Sequence, residues 1–433
     1  MSRKKKIALA LLMIAMTLLC LFACEKKEES PTVEENREKM QVRTVSLSSD
    51  IDIGAAIASK GVVADRTEED DYDEENTLSS ELCYVYLREG ESRCVDKNGD
   101  PLPYDTATVA GNTVVINKIG TYVVSGKLEN GRIILSSADK IQLVCKGVDL
   151  HCANAPALET YGSGKKILTM AQGTENFFSD GKEERGYENK TAVLSRGVLL
   201  INGRGALTVC GEYDGITAPG IKIKDVELIV EAGEKGICSA AYLFANGTDV
   251  TMRTAGRTIE ATDEISVKES TLSLRGKEMY GRDILTENVV VAISGDGDGL
   301  VSERVFWARK SQFGISVRGD GVVAKEDAGI VRFADCTAVI SDGDDGVRAG
   351  YFSFLSGAIL CYGMGTQLNV THGIEASSAL QEAITYEILP QGKTVEVGEI
   401  STVFDREWRT FVYAGKRTDG FLYLNGEKYA LLW

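Results

Sequence analysis

With 433 residues, 43% of them hydrophobic, 45 Gly and only 6 Pro, the chain can bury a long core and turn many tight corners, which excludes a disordered polymer. Its formal charge of −16 argues against nucleic acid as a partner and suits either a cation such as calcium or plain solubility outside the cell.

Met1-Ser-Arg-Lys-Lys-Lys6 is followed by an apolar run from Ile7 to Ala23, 17 residues long and short of the roughly 20 a membrane span needs. Leu21-Phe-Ala-Cys24 places a small residue before cysteine, as lipoprotein signal peptidase requires, so residues 1–23 read as a lipoprotein signal peptide and Cys24 as the lipid-bearing residue. An uncleaved membrane anchor is the alternative, and either reading puts the rest outside the cytoplasm. Removing Arg3, Lys4, Lys5 and Lys6 leaves 44 basic against 64 acidic residues, or −20. Residues 24–80, with the run Glu68-Glu-Asp-Asp-Tyr-Asp-Glu-Glu75, lack periodic apolarity and read as an acidic flexible tether.

Order is expected from about residue 81. Cys83-Tyr-Val-Tyr-Leu87, the alternating stretch Val114 to Ser125, Arg132 to Leu135, Ile141 to Cys145 and Ile167 to Met170 read as strands, and Gly173 to Asn189 as an excursion. Thereafter a corner recurs every 18 to 25 residues: Gly211-Glu-Tyr-Asp-Gly-Ile216, Gly233-Glu-Lys-Gly-Ile237, Ala255-Gly-Arg-Thr-Ile259, Gly276-Lys-Glu-Met279, Gly295-Asp-Gly-Asp-Gly-Leu300, Gly319-Asp-Gly-Val322, Gly343-Asp-Asp-Gly-Val347 and Gly363-Met-Gly365. Between corners, Ile265, Val267, Leu272 and Leu274 superpose on Val331, Phe333, Ala338 and Ile340.

A unit of about 22 residues with period-2 strands buries its face only by stacking on its neighbours. The fold class is therefore all-β: a right-handed, single-stranded parallel β-helix over residues 81–370. Roughly ten coils at about 4.8 Å each make a rod about 50 Å long. Residues 371–433 read as a small C-terminal β cap, in which Ile374 to Ala383 is a short helix or irregular segment. Such a cap covers an open edge that would otherwise invite association into a homo-oligomer.

Among ten Cys, Cys83 and Cys94 flank a hairpin and are the best disulfide candidates. His151 and His372 lie far apart, with no zinc or Ser/His/Asp arrangement in the sequence. Stacked in register, the acidic corners bring carboxylates about 5 Å apart, where like charges repel by roughly 1–3 kcal/mol per pair. Calcium would offset this, with Asp214, Asp296, Asp298, Asp320, Asp342, Asp344 and Asp345 as candidate ligands. The alternative is that Asp-Gly is simply good turn chemistry.

Gly120-Thr-Tyr-Val-Val-Ser-Gly126, Gly173-Thr-Glu-Asn-Phe177, Ser179-Asp-Gly181, Leu200-Ile-Asn-Gly-Arg-Gly-Ala-Leu-Thr-Val209 and Tyr213-Asp-Gly-Ile216 resemble the bacterial carbohydrate-binding parallel β-helix proteins related to polysaccharide lyases. The resemblance runs from about Leu87 to Gly365. It implies an extracellular right-handed β-helix that binds calcium and polysaccharides of cellulose or pectin type, with little or no lyase action. The family's Asp-Asp-Gly-Ile corner is replaced here by Glu234-Lys235, Arg257-Thr258 and Glu278-Met279, which breaks a continuous acidic ladder.

Three functions follow as expectations. The first is a lipid-anchored, calcium-assisted polysaccharide binder, stacking sugars on Tyr213, Tyr280 and Trp307. The second is a calcium-dependent lyase using Lys325 or Arg348 as base. The third is a surface scaffold with no glycan.

Overall fold

The computed structural model describes residues 40–44, 52–60, 72–182, 190–376, 380–389, 392, 394–415, 421–424 and 427–430. Residues 1–23, read as a signal peptide, and Cys24, read as the lipid-bearing residue, lie outside them. The fold is a β-solenoid of about 12 turns, a little longer than the sequence period suggests because coils begin before the first acidic corner.

Each coil contributes a strand to three parallel sheets. In the first sheet, Thr113–Ile116, Arg132–Ser136, Leu158–Tyr161 and Thr191–Ser195 lead into the strand beginning at Asp214, and the order continues through Leu300–Arg309 to Val347–Phe354. The second sheet aligns Ile141 with Lys166, Lys166 with Leu199, and Leu199 with Ile221. In the third, Glu175–Asp180 pairs with Ala206–Gly211 and that strand with Glu227–Ala232. The region read as an excursion therefore opens with a regular coil strand; residues 183–189 lie outside the described set.

Alternation puts one residue in two inside, and equivalent residues stack along the axis. Ile216, Ile237, Ile259, Met279, Leu300, Val322 and Val347 form one such column, all buried. Each such side chain contributes roughly 1.5–3 kcal/mol by leaving water. Nearer the C-terminus, Phe306, Phe313, Phe333 and Phe352 continue the core as an aromatic cluster with centroids 5.3 to 6.3 Å apart.

The second and third sheets meet at a single left-handed residue in each coil: Gly203, Asp225, Gly247, Glu269, Asn288, Lys310, Asp335 and Gly357. The five non-glycine members have φ between 47° and 56°. Their amides are used by the next coil, as in Asp225 N–H to Asn246 O at 3.0 Å and Asn288 N–H to Arg309 O at 3.0 Å. Stacking thus overrides a conformational cost of about 1–2 kcal/mol per residue.

The outer side of the second sheet corrects the tether. Ile167, Leu200 and Val144 alternate outward yet are buried, because residues 72–79 run across them. Leu78 N–H donates to Gln142 Oε1 at 3.0 Å, Gln142 Nε2 donates to Asp73 O at 2.8 Å, and Asn202 Nδ2 donates to Tyr72 O. Farther along, helix α1 (Ile53–Ser59), capped by the Asp52 carboxylate on Ala55 N–H at 2.8 Å, buries Ile53 and Ile57 against Val305 and Ile330. The acidic composition hid this, but the continuous apolar runs at Ile167-Leu168 and Leu199-Leu-Ile201 signalled strands buried on both faces.

At the other end, the parallel strand Leu368–Ala376 extends the solenoid past residue 370. Trp408–Ala414 pairs antiparallel with Gly357–Gly363 and closes that edge. Of Ile374 to Ala383, read as a short helix or irregular segment, Ile374 to Ala376 end the strand Leu368–Ala376 and Leu380 to Ala383 open another, Leu380–Leu389, paired to Trp408–Ala414; residues 377–379 lie outside the described set. The cap also covers the outer side of the third sheet: Val395, Val397, Phe404, Trp408, Phe411 and Tyr413 pack on Ala358, Leu360 and Tyr362. Asp405 fastens it there, accepting from Ser316 Oγ and Ser341 Oγ at 2.6 Å each and from Tyr362 OH at 2.9 Å. Burial alone would raise the Asp405 carboxyl, but these hydroxyls and Arg406 outweigh it and hold it low.

Cys83 and Cys94 are free thiols. In their hairpin Cys94 lies opposite Val85, so the register separates the two cysteines.

Candidate functional site: the outer faces of the solenoid

The first sheet's outer face gathers most of the residues singled out in the sequence. The column just before the inward Ile216 series reads Gly215, Gly236, Thr258, Glu278, Gly299, Gly321 and Gly346. One position earlier stand Asp214, Lys235, Arg257, Lys277, Asp298, Asp320 and Asp345. Coil stacking brings the acidic members into line, and backbone amides meet them. Asp214 Oδ1 accepts from Lys235 N–H at 3.1 Å, Asp298 Oδ1 from Asp320 N–H at 2.9 Å, and Asp320 Oδ1 from Asp345 N–H at 3.0 Å.

Other partners complete the ladder. Asp320 Oδ2 pairs with Arg348 at 2.6 Å, Asp345 Oδ2 accepts from Asn369 Nδ2 at 2.7 Å, and the exposed Asp296 pairs with Arg318 at 3.2 Å. Burial raises the carboxyls of Asp214 and Asp320, only partly opposed by the amides they hold. Asp344 points to solvent at the corner, whereas Asp342 is wholly buried. The carboxylates thus form a ladder of amide acceptors. Among the described residues, no group of three or more His, Cys, Asp or Glu side chains is arranged to hold a metal ion.

In the middle coils the replaced acids become a charge lattice. Lys235 pairs with Glu260 at 2.8 Å, and Arg257 with Glu260 at 3.0 Å and Glu278 at 2.8 Å. Arg257 also lies over the Tyr280 ring at 4.1 Å and Lys325 at 4.9 Å, while the Tyr280 hydroxyl donates to Glu303 at 2.5 Å. That hydrogen bond, then burial, pushes the Tyr280 phenol up to about 12. Lys190 lies over Tyr213 at 4.4 Å and Arg196 over Tyr161 at 5.6 Å. The Tyr213 and Tyr280 ring faces, expected to take sugars, are thus roofed by the chain's own cations.

Trp307 belongs to a different face, the second sheet, where it packs against the cluster that Ile53 and Ile57 of helix α1 form with Val305 and Ile330. The two candidate bases are also engaged: Lys325 is 3.8 Å from Glu303 and over Tyr280, and Arg348 is held by Asp320.

What the sequence reading missed lies on the third sheet's outer side, ahead of the coils the cap covers. Phe177 faces outward with 36% of its surface exposed, while its neighbour Phe178 is fully buried. Two residues on, Ser179 aligns with His151 of the previous coil, and His151 Nδ1 is 2.8 Å from Ser179 Oγ. An open trough of about 640 Å³ runs past these groups, with Lys127, Asp149 and Glu175 along it. The signal was present: Asn176-Phe-Phe-Ser179 alternates like every other strand, and placing it in register would have set Ser179 beside His151.

Comparison with known proteins gives two findings. Residues 110–280 match the family model described as carbohydrate-binding domain-containing protein. No curated protein matches the chain. A solved structure of the polysaccharide lyase-like protein from C. thermocellum, a gadolinium derivative, aligns with 68% of this chain and 97% of its own at 16% identity and a TM-score of 0.31.

Proposed function

We propose that the protein binds polysaccharide along the outside of its solenoid and does not cleave it. The observation that carries this reading is the carbohydrate-binding match over residues 110–280, which covers coils whose third-sheet outer face is, among the described residues, free of the cap. Within this reading the chain is held at the outer surface of a bacterial membrane through Cys24, whose sequence context is that of a lipobox. Against the lyase alternative stand the ion pairs of Lys325 and Arg348, since a base must have its lone pair available to take a proton.

The direct test is retention of the purified protein on insoluble cellulose, xylan and cross-linked polygalacturonate, with product release followed in the ultraviolet. Retention without unsaturated products is expected. Turnover on the acidic polymer would establish the lyase, and no retention on any of them would favour the scaffold.

Calcium has its own test. Asp320→Ala removes an acceptor from the Asp345 amide and the partner of Arg348. It is expected to cost about 1–3 kcal/mol, seen as the same fall in melting temperature with calcium and with chelator. A loss confined to calcium-containing buffer would return calcium to the ladder.

A further inference from the structure

We infer that the trough around Phe177 is a subsite for a neutral polysaccharide, with the ring as stacking platform and the His151–Ser179 pair beside it; this rests on the carbohydrate reading above and names its place and sugar class. Phe177 occupies an outward position in Glu175–Asp180, aligned with Asp149 on one side and Thr208 on the other. A large apolar ring left 36% exposed on a packed sheet forfeits burial that the fold gives to Phe178 next to it. Tyr161, Tyr213 and Tyr280 are each covered by a cation, whereas among the described residues none lies over Phe177. Its face is open to the apolar C–H face of a sugar ring.

The polar groups beside the ring suit hydroxyls rather than carboxylates. Lys127, the lysine along the trough, is bound to Asp149 at 3.1 Å and Glu129 at 3.6 Å. Glu175 adds another carboxylate. Such groups accept hydrogen bonds from sugar hydroxyls and repel a uronate. The contact of His151 Nδ1 with Ser179 fixes the imidazole, so Nε2 is the edge it can present to a ligand. A second trough, of about 490 Å³, follows on the same side of the rod past Asp180, Glu231 and Arg253. A chain of sugars lying parallel to the solenoid axis would cross both, over a surface that remains predominantly acidic.

The test is calorimetric titration of the full chain with cellohexaose, xylohexaose and an oligogalacturonate. The native protein is expected to bind at least one neutral oligosaccharide, and more tightly than the oligogalacturonate. Phe177→Ala should weaken that binding about tenfold, or about 1.4 kcal/mol, with Tyr161→Ala unchanged as a control on the first sheet. Circular dichroism and melting temperature confirm that the exposed substitution leaves the fold intact. Native-level binding by Phe177→Ala overturns the subsite alone, as does preference for the oligogalacturonate. Absence of binding by the native protein to all three overturns the subsite and the carbohydrate reading together.

Discussion

Asp342→Asn is expected to stabilise the protein at pH 8 by several kcal/mol and hardly at all at pH 4. Asp342 continues the inward series Cys336, Ala338 and Ile340, and all four are fully buried. One carboxylate oxygen meets Gln367 Nε2 at a long 3.4 Å, and the other has no hydrogen-bond partner among the described residues. Burial, reinforced by Asp345 and Asp320, pushes the group from 3.8 up to about 8. Between those values the native state holds a proton that the unfolded chain releases, so stability falls as pH rises through that window and levels off above it. The full effect is roughly 6 kcal/mol. The amide keeps the shape, carries no charge, and adds donors where Gln367 Oε1 also lacks one. Urea unfolding at a series of pH values would show the native curve descending from about pH 4 to pH 8 relative to that of the variant. Parallel curves across that range would mean that Asp342 is ionised in the fold.

The same residue shows how much was legible. The period of corners and the alternation of strands establish the coil and its inward residues, because stacking repeats one local pattern many times. Extended by two residues past Ile340, that alternation would have put Asp342 inward, but its Asp-Gly-Asp-Asp context led to its being read as a calcium ligand. What no local pattern encodes is which distant segment comes to cover an outer face. Residues 52–60 and 72–79 lie over the second sheet and the cap lies over the third, and both choices depend on contacts between distant parts of the chain, such as Asn202 to Tyr72 and Ser316 to Asp405. Tyr213, Tyr280 and Trp307 were attractive as aromatics in the sequence, but their availability was decided by neighbours one coil away or by helix α1.

Gly321→Ala is expected to cost about 1–3 kcal/mol or more, while Gly314→Ala is neutral or stabilises by up to about 1 kcal/mol. A Cβ on Gly321 would stand 2.3 Å from Ile340 Cγ2 and 2.6 Å from Gly346 O, whereas at Gly314 it would meet nothing within 4 Å. Neither neighbour can withdraw easily: Ile340 is fully buried, and Gly346 O accepts from Val322 N–H at 3.0 Å. The substitution must therefore separate two coils, straining the adjacent Asp320 to Asp345 bond of the ladder as well. Thr258 and Glu278 occupy the same column without a glycine. Their coils differ: Asp249–Lys268 and Thr271–Glu287 pass through the corner as continuous strands, whereas separate strands flank Gly321. Glycine is thus a requirement of the kinked corner and not of the solenoid as a whole. Thermal unfolding of both glycine variants decides the point, since equal melting temperatures would show that the coils can part at Gly321 without cost.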